Sequence, residues 1–249
     1  MRIKIPFDPI ERGLEVEKVV CRDNERKYYR FRFARYYGGI ITADTVGCCF
    51  LCAYCWNYFK NLNPKKFGEF YSSSKVFEKM MNIYRSKKVK KFRISGAEPI
   101  LGENSFNYLL EILDLFKQEF NDDLIFILET NGLFLGYFKE DFIPKLKKYK
   151  DFLYVRISIK GYNEEIFEKV TGAKKGYFKY PLIAFNELRK SNIKTWIAVM
   201  YDIFGNEGVI ELIENAWNLG VEISPQDIEF EFLEKYNFVI KNLKERGLI

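Results

Sequence analysis

The chain contains no histidine. That single absence removes Ser-His-Asp and Cys-His catalysis, imidazole general bases and histidine-ligated zinc together. Glutamine is nearly absent too: only Gln118 and Gln226 stand against many lysines and glutamates, a bias shared by thermophile proteins and by AT-rich genomes. No apolar run approaches the length of a membrane span, and Met1-Arg2-Ile3-Lys4-Ile5-Pro6 lacks the apolar stretch of a signal peptide, so a soluble cytoplasmic protein is expected. Charge is unremarkable, with 40 basic and 34 acidic residues giving +6. At 249 residues and 48% hydrophobic, the chain is long enough to bury one full core.

Cysteine is scarce but concentrated. Four of the five cysteines lie in Val46-Gly47-Cys48-Cys49-Phe50-Leu51-Cys52-Ala53-Tyr54-Cys55-Trp56-Asn57, and Cys48, Cys52 and Cys55 have the spacing C-x3-C-x2-C. Thiolates are soft ligands that select iron–sulfur clusters, zinc or copper(I), and loops this short seldom allow good disulfide geometry. Structural zinc wants four protein ligands, so it would have to recruit Cys49 or Cys21. Adjacent Cys48 and Cys49 are expected to point apart, which disfavours both on one ion. Three ligands with an empty fourth place suit a cubane cluster with one exposed iron.

Residues 1–37 read as an N-terminal β extension, and 38–249 as one domain without repeat or linker. In the extension, Arg30 and Arg32 alternate with Phe31 and Phe33 at strand period. An edge strand with a solvated basic face explains this; a basic, aromatic surface for RNA, with Arg35, is the alternative. Cys21 is expected to be a packed thiol.

From Gly38 onward strand and helix alternate. Strands are expected over residues 39–46, around Phe92 and Ile94, and over 124–128, 152–158, 196–200 and 228–232, in near-continuous apolar runs that suit a parallel sheet. Helical stripes follow Asn104 (Phe106, Leu109, Leu110, Leu113, Phe116) and Asn163 (Ile166, Phe167, Val170), with further stripes at 209–219 and 236–243. Alternation of this kind implies right-handed crossovers. Spacing alone does not decide between an open doubly wound sheet and a barrel.

The polar clusters all fall at the carboxyl ends of these strands, where chemistry collects in both architectures. They are the cysteine loop, Gly96-Ala97-Glu98-Pro99, Glu129-Thr130-Asn131-Gly132 and Ser158-Ile159-Lys160-Gly161. Taken singly, Gly-Ala-Glu-Pro and Thr-Asn-Gly are plain turn sequences and Lys160 a strand-end lysine.

Taken together, C-x3-C-x2-C with Tyr54 before the last cysteine resembles the signature of the radical S-adenosylmethionine (radical SAM) superfamily. The resemblance implies a [4Fe-4S] cluster held by Cys48, Cys52 and Cys55, whose fourth iron chelates S-adenosyl-L-methionine and cleaves it to a 5'-deoxyadenosyl radical. It also implies a partial (β/α)6 TIM-like barrel. Gly96-Ala97-Glu98-Pro99 resembles the family's Gly-Gly-Glu-Pro motif, whose backbone and glutamate bind the amino end of that cofactor; here Ala97 replaces the second glycine. Glu129, Thr130 and Asn131 resemble a segment that places polar groups near the nucleoside. Ser158 and Lys160 resemble the Asp-x-Lys motif of glycyl-radical-enzyme activases, in which the lysine faces the methionyl carboxylate; Ser158 replaces the aspartate. Tyr54 and Met200 are expected near the adenine. The resemblance implies an electron donor such as ferredoxin or flavodoxin and an unidentified protein, RNA or small-molecule substrate. The contrasting reading is a zinc-stabilised nucleic-acid-binding protein without catalysis.

Overall fold

Asp8 accepts the backbone N–H groups of Ile10 and Glu11, and Pro9 takes the first helical position, so α1 (Pro9–Val20) begins there. The computed structural model describes residues 4–249. Its N-terminal segment therefore holds a helix and a short strand, β1 (Cys21–Arg22), as well as the expected strand, β2 (Glu25–Ala34). Cys21 is half-buried against the core.

β2 is an edge only in its second half. Glu25–Tyr28 pair antiparallel with β4 (Glu69–Ser72) on one side, β1 and β3 (Ile40–Thr45) pair antiparallel along the other, and Arg30–Ala34 pair with β3 alone. The expected solvated basic face is corrected in the same place. Arg30 lies opposite Asp44, and both Arg30 and Arg32 donate to the fully buried Asp44 carboxylate, at 2.7 and 2.9 Å. A carboxylate with no water must be paired, and the two strand-period arginines do that. Phe31 faces the other way, stacked on Tyr28 and edge-on to Tyr71.

After β3 the chain passes through the cysteine loop, α2 (Tyr58–Leu62), β4 and α3 (Ser73–Lys87) to β5 (Lys91–Ser95). Then come α4 (Glu103–Phe120), β6 (Ile125–Thr130), α5 (Leu133–Tyr137), α6 (Lys139–Leu146) and β7 (Leu153–Ser158). α7 (Glu164–Thr171), α8 (Lys179–Lys190), β8 (Lys194–Met200), α9 (Tyr201–Asn218), β9 (Ile228–Glu231) and α10 (Asn237–Glu245) complete it. Six strands, β3, β5, β6, β7, β8 and β9, run parallel in that order. No pairing among the described residues joins β9 back to β1, so the sheet is an open, partial TIM-like barrel.

Strand alternation sorts the two faces. Ile41, Ala43, Phe92, Ile94, Phe126, Leu128, Val155 and Ile157 are buried in the core. Thr42, Asp44, Arg93, Ser95, Glu129 and Arg156 carry the opposite face and pair across strands, Arg93 with Glu129 at 2.8 Å and Arg156 with Glu229 and Glu231 at 2.9 Å. No helix among the described residues is long and apolar enough to cross a membrane.

Asn163 caps α7 as its position predicts, its side-chain oxygen accepting the Ile166 N–H at 2.8 Å, and Gly172 closes that helix at φ +73°. Asn104 does not cap α4. It lies inside the first turn, and the cap comes from far away: the buried Glu17 carboxylate of α1 accepts both the Ser105 N–H at 2.7 Å and its hydroxyl at 2.6 Å. Gly102 makes room, since a Cβ there would run into that carboxylate. Glu17 thus welds α1 to the helix that follows β5. Replacing Glu17 by alanine orphans the α4 terminus and should lower unfolding stability by about 1–3 kcal/mol, read from urea denaturation, with Lys18→Ala as a near-neutral control.

Candidate functional site

The chain leaves β3 through Gly47, whose φ of +92° and close approach to Val16 and Val20 of α1 leave no space for a side chain. The loop beyond is pinned by main-chain bonds. The N–H groups of Leu51 and Ala53 donate to the carbonyls of Thr171 and Val170 at 3.0 and 2.8 Å, so the open carbonyl end of α7 holds it. From the other side Asn242 of α10 donates to the Ala53 carbonyl. Cys52 is buried, and Cys48 and Cys55 are half-buried.

Each end of the triad meets N–H donors. Phe50 N–H lies 3.4 Å from Cys48 Sγ, Asn61 Nδ2 3.6 Å from Cys55 Sγ, and Asn131 Nδ2 3.9 Å from Cys48 Sγ. Cys48 and Cys49 do not point apart as expected. The turn at Gly47 and the pinning to α7 bring both thiols toward Asn131, which reaches Cys49 Sγ at 3.2 Å. The neighbouring Cys49 thiol, with the Phe50 N–H and the charges of Arg12 and Lys160, pulls the Cys48 thiol down to about 7 against the effect of burial. Burial pushes Cys55 up to about 11 and Cys52 up to about 12. Lys160 sits 5.5 Å over the Tyr54 ring, and its charge acts on all three triad cysteines.

Glu98 is turned inward. Its carboxylate accepts the N–H of Ile100 at 3.1 Å and of Asn131 at 2.8 Å, and the Thr130 hydroxyl at 2.6 Å. Burial first, then the Cys48 charge, pushes it up to about 8. It therefore joins the loop after β5 to the loop after β6. Thr130 and Asn131 each cap the next turn, through Gly132 N–H and Leu133 N–H at 3.0 Å. Glu129 lies one step deeper, held by Arg93 and the Ser95 hydroxyl. Ser158 contacts Arg156 at 3.4 Å, and Met200 is buried where β8 passes directly into α9.

Two positioning residues escaped the sequence reading. Arg26 of β2, buried, donates to the carbonyls of Val46 and Glu98 at 2.8 and 2.9 Å and so fastens two rim loops to each other. Asn57, also buried, donates to the Gly96 carbonyl at 2.5 Å and the Tyr29 hydroxyl at 3.1 Å. Arg26 has no local signature among the five basic neighbours Arg22, Lys27, Arg30, Arg32 and Arg35; Asn57 stands two residues after the last cysteine of the triad, the only hint available.

No three Cys, Asp or Glu side chains among the described residues converge on a point close enough for one metal ion. Three thiols of one loop, ringed by N–H donors and a lysine, are instead a donor set that fits an iron–sulfur cluster, whose sulfurs are tuned by such hydrogen bonds.

Comparison with known proteins agrees. A protein of Methanocaldococcus jannaschii named as a glycyl-radical enzyme activating enzyme is 34% identical over 124 residues, 50% of this chain and 40% of that one. The GTP 3',8-cyclase of Helicobacter pylori is 26% identical over 87% of this chain and 63% of its own length. Native anSMEcpe with bound AdoMet and Cp18Cys peptide shares the fold at a TM-score of 0.55 and 18% identity, covering 78% of this chain and 52% of that one. The chain thus spans less than two thirds of the length of each of these relatives. Radical SAM enzymes use a [4Fe-4S] cluster and S-adenosyl-L-methionine. The model of the radical SAM superfamily matches residues 43–216, from within β3 almost to the end of α9, and the chain accordingly belongs to that superfamily and is an enzyme of it.

Proposed function

We propose that Cys48, Cys52 and Cys55 hold the [4Fe-4S] cluster and that the carboxyl rim of the open barrel holds S-adenosyl-L-methionine beside it. The observation that carries this reading is the loop itself: three thiols in a loop pinned by α7 at the rim, with Lys160 over the Tyr54 ring of the same loop. When bound, cluster and cofactor supply a one-electron cleavage giving a 5'-deoxyadenosyl radical that can take a hydrogen atom from a substrate.

The chain's own residues bind and orient. Lys160 supplies the cation for a carboxylate at the rim, with Tyr54 beneath its ammonium group. The carbonyls of Gly96 and Ala97 offer acceptors for an ammonium group, while the inward Glu98 fixes Thr130 and Asn131 for the nucleoside. Met200, at the end of β8, supplies apolar surface for the adenine. An enzyme of this kind needs a reductant, for which a ferredoxin or flavodoxin suits the basic chain.

The finer reading is activation of a glycyl-radical protein, supported by the 34% identical stretch and by Lys160 in its Ser158-Ile159-Lys160 setting. RNA modification loses its main support, because Arg30 and Arg32 are committed to Asp44.

Alanine at Cys48, Cys52 or Cys55 should abolish both iron binding and anaerobic 5'-deoxyadenosine formation, whereas Cys49→Ala should retain both. Loss of iron in Cys49→Ala alone would reassign the ligands. Lys160→Met should leave iron content unchanged and weaken S-adenosyl-L-methionine binding about tenfold, measured by titration, the effect of losing roughly 1.4 kcal/mol of charge pairing. For the activase reading, anaerobic mixing with a glycyl-radical protein from the source organism should give a glycine-centred electron spin resonance signal. Accumulation of 5'-deoxyadenosine with GTP as substrate, and no such signal with the protein, would point to cyclisation instead.

A further inference from the structure

Arg12 lies on α1, outside every motif that carries the proposed cofactor site. α1 presses directly on the cysteine loop: a Cβ on Gly13 would sit 3.3 Å from Cys49 Cβ, and Gly47 is packed under Val16 and Val20. From this helix the Arg12 guanidinium turns toward the loop. Its Nη2 donates to the Asn61 carbonyl at 3.1 Å, and the Asn61 amide in turn reaches Cys55 Sγ at 3.6 Å. Phe7 covers the outer side, its ring centre 5.3 Å away. Arg12 Nε and Asn61 Oδ1 are both sealed from solvent without a hydrogen-bond partner.

An unpartnered buried guanidinium N–H is costly unless something negative faces it. The charges acting on Arg12 are those of Cys48 and Cys49, with Tyr58, and they oppose the effect of its burial. Three thiolates in one loop are a concentration of negative charge, and adding an electron to a group they hold increases it. Lys160 balances that charge from the rim side. Arg12 is a second cation, supplied from α1.

We propose that Arg12 is a positioning residue that raises the reduction potential of the cluster site through its fixed charge and its bond to Asn61, favouring the electron-loaded form. The inference rests on the assignment of Cys48, Cys52 and Cys55 as ligands. Arginine suits the task because it stays charged in any protein environment and holds a fixed donor geometry. The cation and the N–H···S contact act in the same direction, since both favour added negative charge on the sulfurs.

The test is a redox titration of the reconstituted full chain, followed by electron spin resonance, with iron content and melting temperature measured on each variant. Arg12→Met should load iron as wild type does and show a more negative midpoint. At a fixed poise near the wild-type midpoint, the ratio of reduced to oxidised cluster should fall about tenfold, a shift of about 59 mV for one electron. Arg12→Lys, which keeps the charge, should recover most of that shift, and Lys18→Met, on the exposed last turn of the same helix, should show none. A full complement of iron with an unchanged midpoint in Arg12→Met overturns the proposal. So does loss of iron in Arg12→Met at an unchanged melting temperature, because Arg12 would then anchor the loop rather than tune it. If Arg12→Met unfolds, Arg12→Lys decides: a midpoint within error of wild type supports the charge, and a full shift despite retained charge overturns it. Absence of iron from the wild-type protein would sink the ligand assignment itself, a separate outcome.

Discussion

The rim of this barrel depends on one buried carboxylate. Glu98 leaves β5 with its oxygens turned away from solvent and spends them on Ile100, Thr130 and Asn131. Asn131, once held, points its amide at the sulfurs of Cys48 and Cys49. Three rim loops that follow three adjacent strands are thereby fixed relative to one another through a single acidic side chain. Arg26 repeats the connection from below, by gripping the carbonyl of Glu98 and that of Val46. Removing a partner from a network this dry costs more than the bond itself, because the remaining groups have no water to turn to. Loops that would otherwise be the most mobile parts of the fold become a rigid cradle.

Below the rim, the polar face of the sheet is a row of ion pairs. Asp44 takes two arginines from β2, Arg93 meets Glu129, and Arg156 meets Glu229 and Glu231. A closed barrel fills its interior with apolar layers. An open one of six strands cannot, since its lumen meets water along the gap between β9 and the antiparallel strands. Pairing charges across neighbouring strands solves two problems together. It satisfies groups that water reaches only partly, and it fixes strand register, because a slip of one residue would part every pair and turn its members to the apolar face. Buried ion pairs contribute little net stability, so register is the better account of their presence here.

What could be read from the sequence was what the chain specifies locally. The parallel strands β3, β5, β6, β7 and β8 and the edge β9 lie where apolar runs predict them, α7 is capped by Asn163, and the four polar clusters stand at the carboxyl rim. α3 and α8, by contrast, are not among the expected stripes, although β5 and β8 could not be reached without them. Asn104 misled because its cap chemistry is right and its place is not. The terminus of α4 is satisfied by Glu17, 88 residues away in sequence, and no window along the chain contains both. Arg30 and Arg32 misled in the same way: their period was legible, their partner Asp44 was not.

Many of the long-range contacts hidden from the sequence come from the first 37 residues, which look like an appendage and behave like a brace. Glu17 caps α4, Val16 and Val20 floor Gly47, Arg26 ties the rim loops, Arg30 and Arg32 neutralise Asp44, and Asp8 receives Tyr177 from beyond α7. None of these residues carries a motif, because each acts on a group supplied by a distant strand or helix, and a side chain that serves a partner far along the chain leaves no periodic trace. A partial barrel lacks the ring of strands that stiffens a closed one. The N-terminal helix and its antiparallel strands supply that stiffness at the side where the cysteine loop sits, so the geometry of three thiols is set as much by residues before the family's match begins as by those within it.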